Sequence, residues 1–275
     1  MSPLLPLIAF AASQASAQIG PQEPPETRYR RCAEQVRANP NFAVDTANGW
    51  LLQGGSLYAR QCLGLAYVAL ERWQAAAAVY EQAASEVPTA QGALRADLFV
   101  QAGNAWIAAG QATKAVLALD QALASSALAD ELRGEIHLDR ARALVALNDN
   151  QGARRDLDRA LQLVFADPFA WYLSAALARR EGNLSRARAD IGRAIEMVPA
   201  NADFQLLAGT LAGLAGDLQE AERIYRRVAE MAPDSEAGRA AAASLATLRE
   251  VEQPAAPAAQ PPATPPPNPT SPQSR

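Results

Sequence analysis

The chain is predicted to be all-α, an α-solenoid of stacked antiparallel helix pairs, superhelical, with about five repeated units between helical caps. Three observations predict it. The first is a period of 34 residues, which relates Ala153, Ala187 and Ala221, then Leu157, Ile191 and Tyr225, then Asn148, Gly182 and Gly216, and also Pro199 and Pro233. Two earlier stretches match once short insertions are allowed, through Ala76, Tyr80 and Ala83 and through Ala115, Leu119 and Ala122. A fixed period of this length marks a stacked array of supersecondary units. The second is composition: 49% of the 275 residues are apolar but only 6% are aromatic, and alanine is abundant. Sheets favour β-branched and aromatic residues, whereas closely packed helices tolerate small ones. The third is punctuation, because Gly and Pro recur at fixed places in the period, where they end helices.

The elements follow in order. The N-terminus, "MSPLLPLIAFAASQASAQ", carries an apolar run from Leu4 to Ala12 followed by Ala15-Ser16-Ala17. That small-x-small pattern predicts a signal peptide over 1–17, cleaved between Ala17 and Gln18. The run is too short to span a bilayer. No Lys or Arg precedes it, which leaves open a start upstream of Met1 or a disordered leader. Neither cysteine follows the run as a lipidated residue would. Residues 18–27 read as a linker and 28–54 as an N-terminal helical cap or degenerate repeat, broken at Asn39-Pro40. Repeats are expected over 57–235, and "SEAGRAAAASLATLREVE" supplies a capping helix over 236–252. The tail, 253–275, has 9 prolines and no Leu, Ile, Val or aromatic residue. Such a segment cannot offset the entropy of ordering, so it is predicted to be disordered.

Five units fit one template. The first, 57–90, has Leu63-Gly64, Tyr67, Ala76, Tyr80, Ala83 and Pro88. The second, 96–129, has Phe99, Ala102-Gly103, Trp106, Gly110, Ala115, Leu119 and Ala122. The third, 134–167, is weaker and keeps Leu144, Ala153, Leu157 and Ala160. The fourth, 168–201, has Trp171, Gly182, Ala187, Ile191, Ala194 and Pro199, and the fifth, 202–235, has Gly209, Gly216, Ala221, Tyr225 and Pro233. With these residues the chain resembles the tetratricopeptide repeat family, a helix–turn–helix unit of 34 residues. It departs from the family pattern at Ala127 and Phe165, where Pro is usual, at Ala141 and Ala175, where Gly is usual, and at Val228 in place of Ala.

The spacing has its own physical sense. The twentieth, twenty-fourth and twenty-seventh residues of a unit step by four and three, so they share one helix face. Small residues at the eighth and twentieth places let two helices approach, and a bulky side chain there would overpack the contact. One pair cannot bury its apolar face alone, so stacking supplies the core.

Composition and motifs exclude several activities. A net charge of −4 and a pI near 5.2 lack the basic footprint of a nucleic-acid binder. His137 is the only histidine, without the convergent ligands or nucleophile of a metal or catalytic site. No enzyme, metal or cofactor is expected. Carboxylates and arginines interleave in "ARRDLDRA" and "AERIYRR", which read as solvated helix faces. Cys32 and Cys62 are the only thiols. In an oxidising compartment the two are expected to form a disulfide, and the alternative is a pair of small buried hydrophobes.

The resemblance implies a protein–protein interaction scaffold whose first helices line a groove for a peptide or partner protein of unknown identity. It places Asp97, Asn104, Leu138, Arg142, Tyr172 and Arg179 on that groove. It does not imply the clamp that some family members use for a C-terminal carboxylate: Asn104 fits, but Val100, Asp139, Phe169 and Leu173 stand where basic or amide residues are needed. The expected setting is the periplasm or the exterior of a bacterium, in cell-envelope assembly, secretion or maintenance. The alternative is a self-associating spacer without a dedicated peptide ligand.

Overall fold

A computed structural model describes residues 23–55 and 57–252, with the side chains of 250–252 left aside. The expected cleavage site at Ala17 and Gln18 and the proline-rich tail lie outside the described residues. Among these there are thirteen α-helices and no strand. The chain divides into two compact units, with the boundary in sequence between Ala129 and Asp130.

The first unit holds α1 (Pro25–Ala38), α2 (Pro40–Leu52), α3 (Leu57–Ala69), α4 (Trp73–Glu86), α5 (Gly92–Ala108) and α6 (Ala112–Leu123). The second holds α7 (Asp130–Ala146), α8 (Asn150–Leu163), α9 (Pro168–Arg180), α10 (Leu184–Met197), α11 (Ala202–Leu214), α12 (Leu218–Met231) and α13 (Glu236–Glu252). Successive helices pack as antiparallel neighbours within each unit. In the second, α9 also touches α7 and α11, and α11 touches α13, so the first helices of the pairs form a continuous layer.

Three helix starts differ from the sequence reading. Helix α1 begins at Pro25, inside the stretch read as linker 18–27. Proline at a first helical position loses no hydrogen bond, because that N–H has no intrahelical partner. The carbonyl of Pro24 accepts from the N–H groups of Thr27 and Arg28, both at 3.0 Å, which starts the helix there. Helices α5 and α7 each run 17 residues and begin at Gly92 and Asp130, a turn ahead of the repeats read from 96 and 134.

Each of the five repeated pairs turns in the same way. The fifteenth residue of each unit, Glu71, Gly110, Asn148, Gly182 or Gly216, has φ between 55° and 83°. The next residue then returns its N–H to a carbonyl five residues back: Arg72 to Tyr67, Gln111 to Trp106, Asp149 to Leu144, Asn183 to Ala178 and Asp217 to Ala212, at 2.8–3.0 Å. This is a left-handed helix C-terminus that satisfies the orphaned carbonyls. Asp149, Asn183 and Asp217 then accept a backbone N–H from the first turn of the following helix. One short segment therefore ends one helix and starts the next.

Small residues make the close contacts. Ala76, Ala83, Ala115, Ala122, Ala153, Ala160, Ala187, Ala194 and Ala221 are all fully buried. At the eighth position a Cβ added to Gly64 would lie 2.6 Å from the ring of Tyr80, and one on Gly209 would lie 2.8 Å from the ring of Tyr225. Where the facing residue is the smaller Leu157 or Ile191, the eighth position holds Ala141 or Ala175. Ring size and glycine are paired in these four units, whereas in the second Gly103 faces Leu119, whose side chain would lie 2.7 Å from an added Cβ.

Candidate functional site

The layer of first helices in the second unit carries a pocket between α7 and α9, of about 410 Å³. Its walls include Val145, Leu173 and Ala176, and Leu157 from α8 lies beneath them. Helix α7 contributes Arg142 and helix α9 contributes Arg179 and Arg180, and all three are exposed. Arg142 donates to Asp139 at 3.0 Å, and Arg180 donates to the side-chain oxygen of Asn148. Among the described residues, neither Arg179 nor Arg180 has an ion-pair partner. The site is therefore an apolar depression with cations on both helical walls.

Beside it, Tyr172 stacks on the buried Phe204 with ring centroids 5.2 Å apart, and Phe169 meets both rings edge-on at 5.5 and 6.1 Å. Phe169 is 53% exposed. Burial and the charge of Asp203 raise the Tyr172 hydroxyl above its ordinary pKa, against the opposing pull of Arg179. Tyr172 and Arg179 thus share one electrostatic neighbourhood on α9.

Leu138 does not belong to such a surface. Its side chain is 7% exposed and packs in the core with Ala141, Leu157 and Leu177. An apolar residue within reach of both α8 and α9 gains more from that core than from solvent. Asp97 and Asn104 are exposed on α5, in the first unit, where Asp97 accepts from Gln101 Nε2 at 2.7 Å. Of the six residues assigned to the groove, Arg142 and Arg179 line one pocket, with Tyr172 on the same helix as Arg179.

No family model matches this chain, and no curated protein matches it. Solved structures do. PilW, a widely conserved type IV pilus biogenesis factor, aligns over 78% of this chain and 96% of its own at 18% identity and a TM-score of 0.66. PilF of Pseudomonas aeruginosa aligns over 80% and 97% at 16% identity, with a TM-score of 0.63. YrrB, a TPR protein with an unusual peptide-binding site, aligns over 71% and 96% at 19% identity, with a TM-score of 0.52. The fold is that of the tetratricopeptide repeat.

Two tetratricopeptide units carry buried polar contacts that the sequence reading missed. In the third unit Asp156, 3% exposed, receives two bonds from the Arg140 guanidinium at 2.7 and 2.8 Å and faces His137 Nδ1 at 2.9 Å. Burial pushes the Asp156 carboxyl up, but the hydrogen bonds from His137 and Arg140 outweigh it and hold it below the ordinary carboxylate value. In the fourth unit the fully buried Ser174 donates to Asp190 at 2.6 Å. Arg154 reaches from α8 to the hydroxyl and carbonyl of Ser174 at 2.8 and 3.0 Å, and Arg186 joins Asp190 to Asp158.

Arg140 and Ser174 occupy the seventh place of their tetratricopeptide units, and Asp156 and Asp190 the twenty-third. The "ARRDLDRA" stretch is therefore corrected: one of its two aspartates is buried and spans two helices. The signal was present as a polar residue at both places, which are Leu63 and Val79 in the first unit. The reading of "AERIYRR" fares differently, since Arg226 pairs with Glu222 on an exposed face.

The same contacts account for His137, which is held by a carboxylate in the core rather than aimed into a cavity. No cluster of three metal-ligating side chains occurs among the described residues, and none of their helices is long and apolar enough to cross a membrane. Cys32 on α1 and Cys62 on α3 are both buried, with Cα atoms 6.1 Å apart and the sulfurs facing, a spacing that suits a disulfide.

Proposed function

We propose that this protein is an exported scaffold that holds a peptide or partner protein on its layer of first helices, in bacterial cell-envelope assembly, secretion or maintenance. The observation that carries the proposal is the pocket between α7 and α9, an apolar depression flanked by exposed cations on a layer of packed helices. Ligand sites are concave, largely apolar and oriented by a few polar groups. The likeness to PilW, a type IV pilus biogenesis factor, supports an envelope setting, and the apolar run with the Ala15-Ser16-Ala17 that follows it supports export. On this reading the mature chain begins at Gln18, and Cys32 and Cys62 are joined outside the reducing cytosol. Tyr172 extends the partner surface beside Arg179 on α9, and Asp97 and Asn104 are separate candidate contacts on α5 of the first unit.

The test is cross-linking in intact cells, with a photoreactive residue placed at Arg179 and, as a control, at Arg227 on α12. A discrete adduct from position 179 alone is the expected result. An adduct only with a second copy of this chain would favour the self-associating spacer. None from position 179 would remove the groove. N-terminal sequencing of fractionated protein tests export separately.

A further inference from the structure

We infer that the pocket between α7 and α9 takes an acidic peptide segment, an apolar side chain flanked on both sides by Asp or Glu. The inference rests on the scaffold reading and deepens it. The depression is apolar at Val145, Leu173 and Ala176 and large enough, at about 410 Å³, for a bulky side chain. Cations stand on both walls, Arg142 on α7, which already pairs with Asp139 at 3.0 Å, and Arg179 with Arg180 on α9. Arg179 and Arg180 have no carboxylate partner among the described residues. They are a local cationic rim on a chain whose net charge is −4.

Opposite charge at the rim orients a partner, and an apolar anchor in the depression supplies the desolvated contact. Cations on two walls ask for carboxylates on both sides of the anchor. Side chains along a peptide supply them, whereas a single C-terminal carboxylate reaches one wall. The chain's own proline-rich end is a poor occupant, since residues 253–275 contain no Asp or Glu.

The test uses the full mature chain and a display library of randomised twelve-residue peptides, which assumes no sequence. Selected peptides are then measured by fluorescence anisotropy against wild type, R142E/R179E, R142Q/R179Q and the control R226E/R227E, with helicity and melting checked for each. We expect enrichment of an apolar residue flanked by Asp or Glu. Affinity should fall at least tenfold with R142E/R179E, less with R142Q/R179Q, and stay unchanged in the control. It should also weaken as salt screens the rim, and Glu→Gln peptides should lose it while C-terminal amidation should not. Neutral or basic binders, or acidic ones indifferent to R142E/R179E, would overturn the inference and leave the scaffold reading standing. Dependence on the free C-terminus alone would overturn the side-chain source. A library without any binder would overturn the inference and leave the scaffold reading with a folded partner protein.

Discussion

Replacing Gly64 by alanine should destabilise the first unit, and the same replacement should cost nothing further once Tyr80 is leucine. The added Cβ would lie 2.6 Å from two carbons of the Tyr80 ring. Tyr80 is 4% exposed and cannot swing aside. Overpacking costs about 1–3 kcal/mol, and so severe an overlap belongs at the upper end. Alanine regains about 1 kcal/mol over glycine in a helix interior, which leaves a net loss of about 2 kcal/mol. Leucine at 80 alone should cost about 1–2 kcal/mol for the emptied ring space. The double variant recreates the Ala141–Leu157 pairing of the third unit, whose residues share one core. It should be no less stable than Y80L, a coupling of about 2 kcal/mol. Urea unfolding of the four proteins, followed by circular dichroism, measures the cycle. Losses that add to within about 0.5 kcal/mol would refute the pairing, since that is how independent sites behave.

Three further outcomes follow from the same contacts. Glu71 is a non-glycine residue in the left-handed region, so Glu71→Gly should stabilise by about 1 kcal/mol, and unchanged urea midpoints would show that the turn carries no strain. Asp156→Asn should cost about 3 kcal/mol by leaving Arg140 without its buried carboxylate. Because the folded Asp156 carboxyl titrates below its ordinary value, its contribution is present above about pH 4 and drains away as pH falls further. Wild type should therefore lose stability more steeply than D156N in acid, and parallel curves would count against the network. Reducing Cys32–Cys62 should lower stability by about 3–4 kcal/mol for a loop of about 30 residues. Identical melts with and without reductant would show that the pair adds nothing.

The helix pairs were legible because their signals are local. Small residues at Gly64 and Ala76, a glycine at Gly182 and a proline at Pro199 each act within one unit, and the period repeats them. The left-handed turn was legible where glycine marks it, at Gly110, Gly182 and Gly216, and at Asn148, which shares their period and tolerates the conformation, and it was hidden at Glu71. A turn imposed by the packing of its two helices does not need glycine.

What the sequence determined by itself was a stack of helix pairs with alanine at the contacts. What only the tertiary structure decided was which side chains leave the surface. Leu138 and Leu173 look alike in sequence, yet one lies in the core and the other faces the pocket. Asp156 and Asp158 stand two residues apart, and only the first is buried. Ser174 and Asp190 meet across sixteen positions of chain. The period sets which helix a residue is on, but a side chain's surroundings depend on how neighbouring helices rotate and approach, and that is settled only when the units stack.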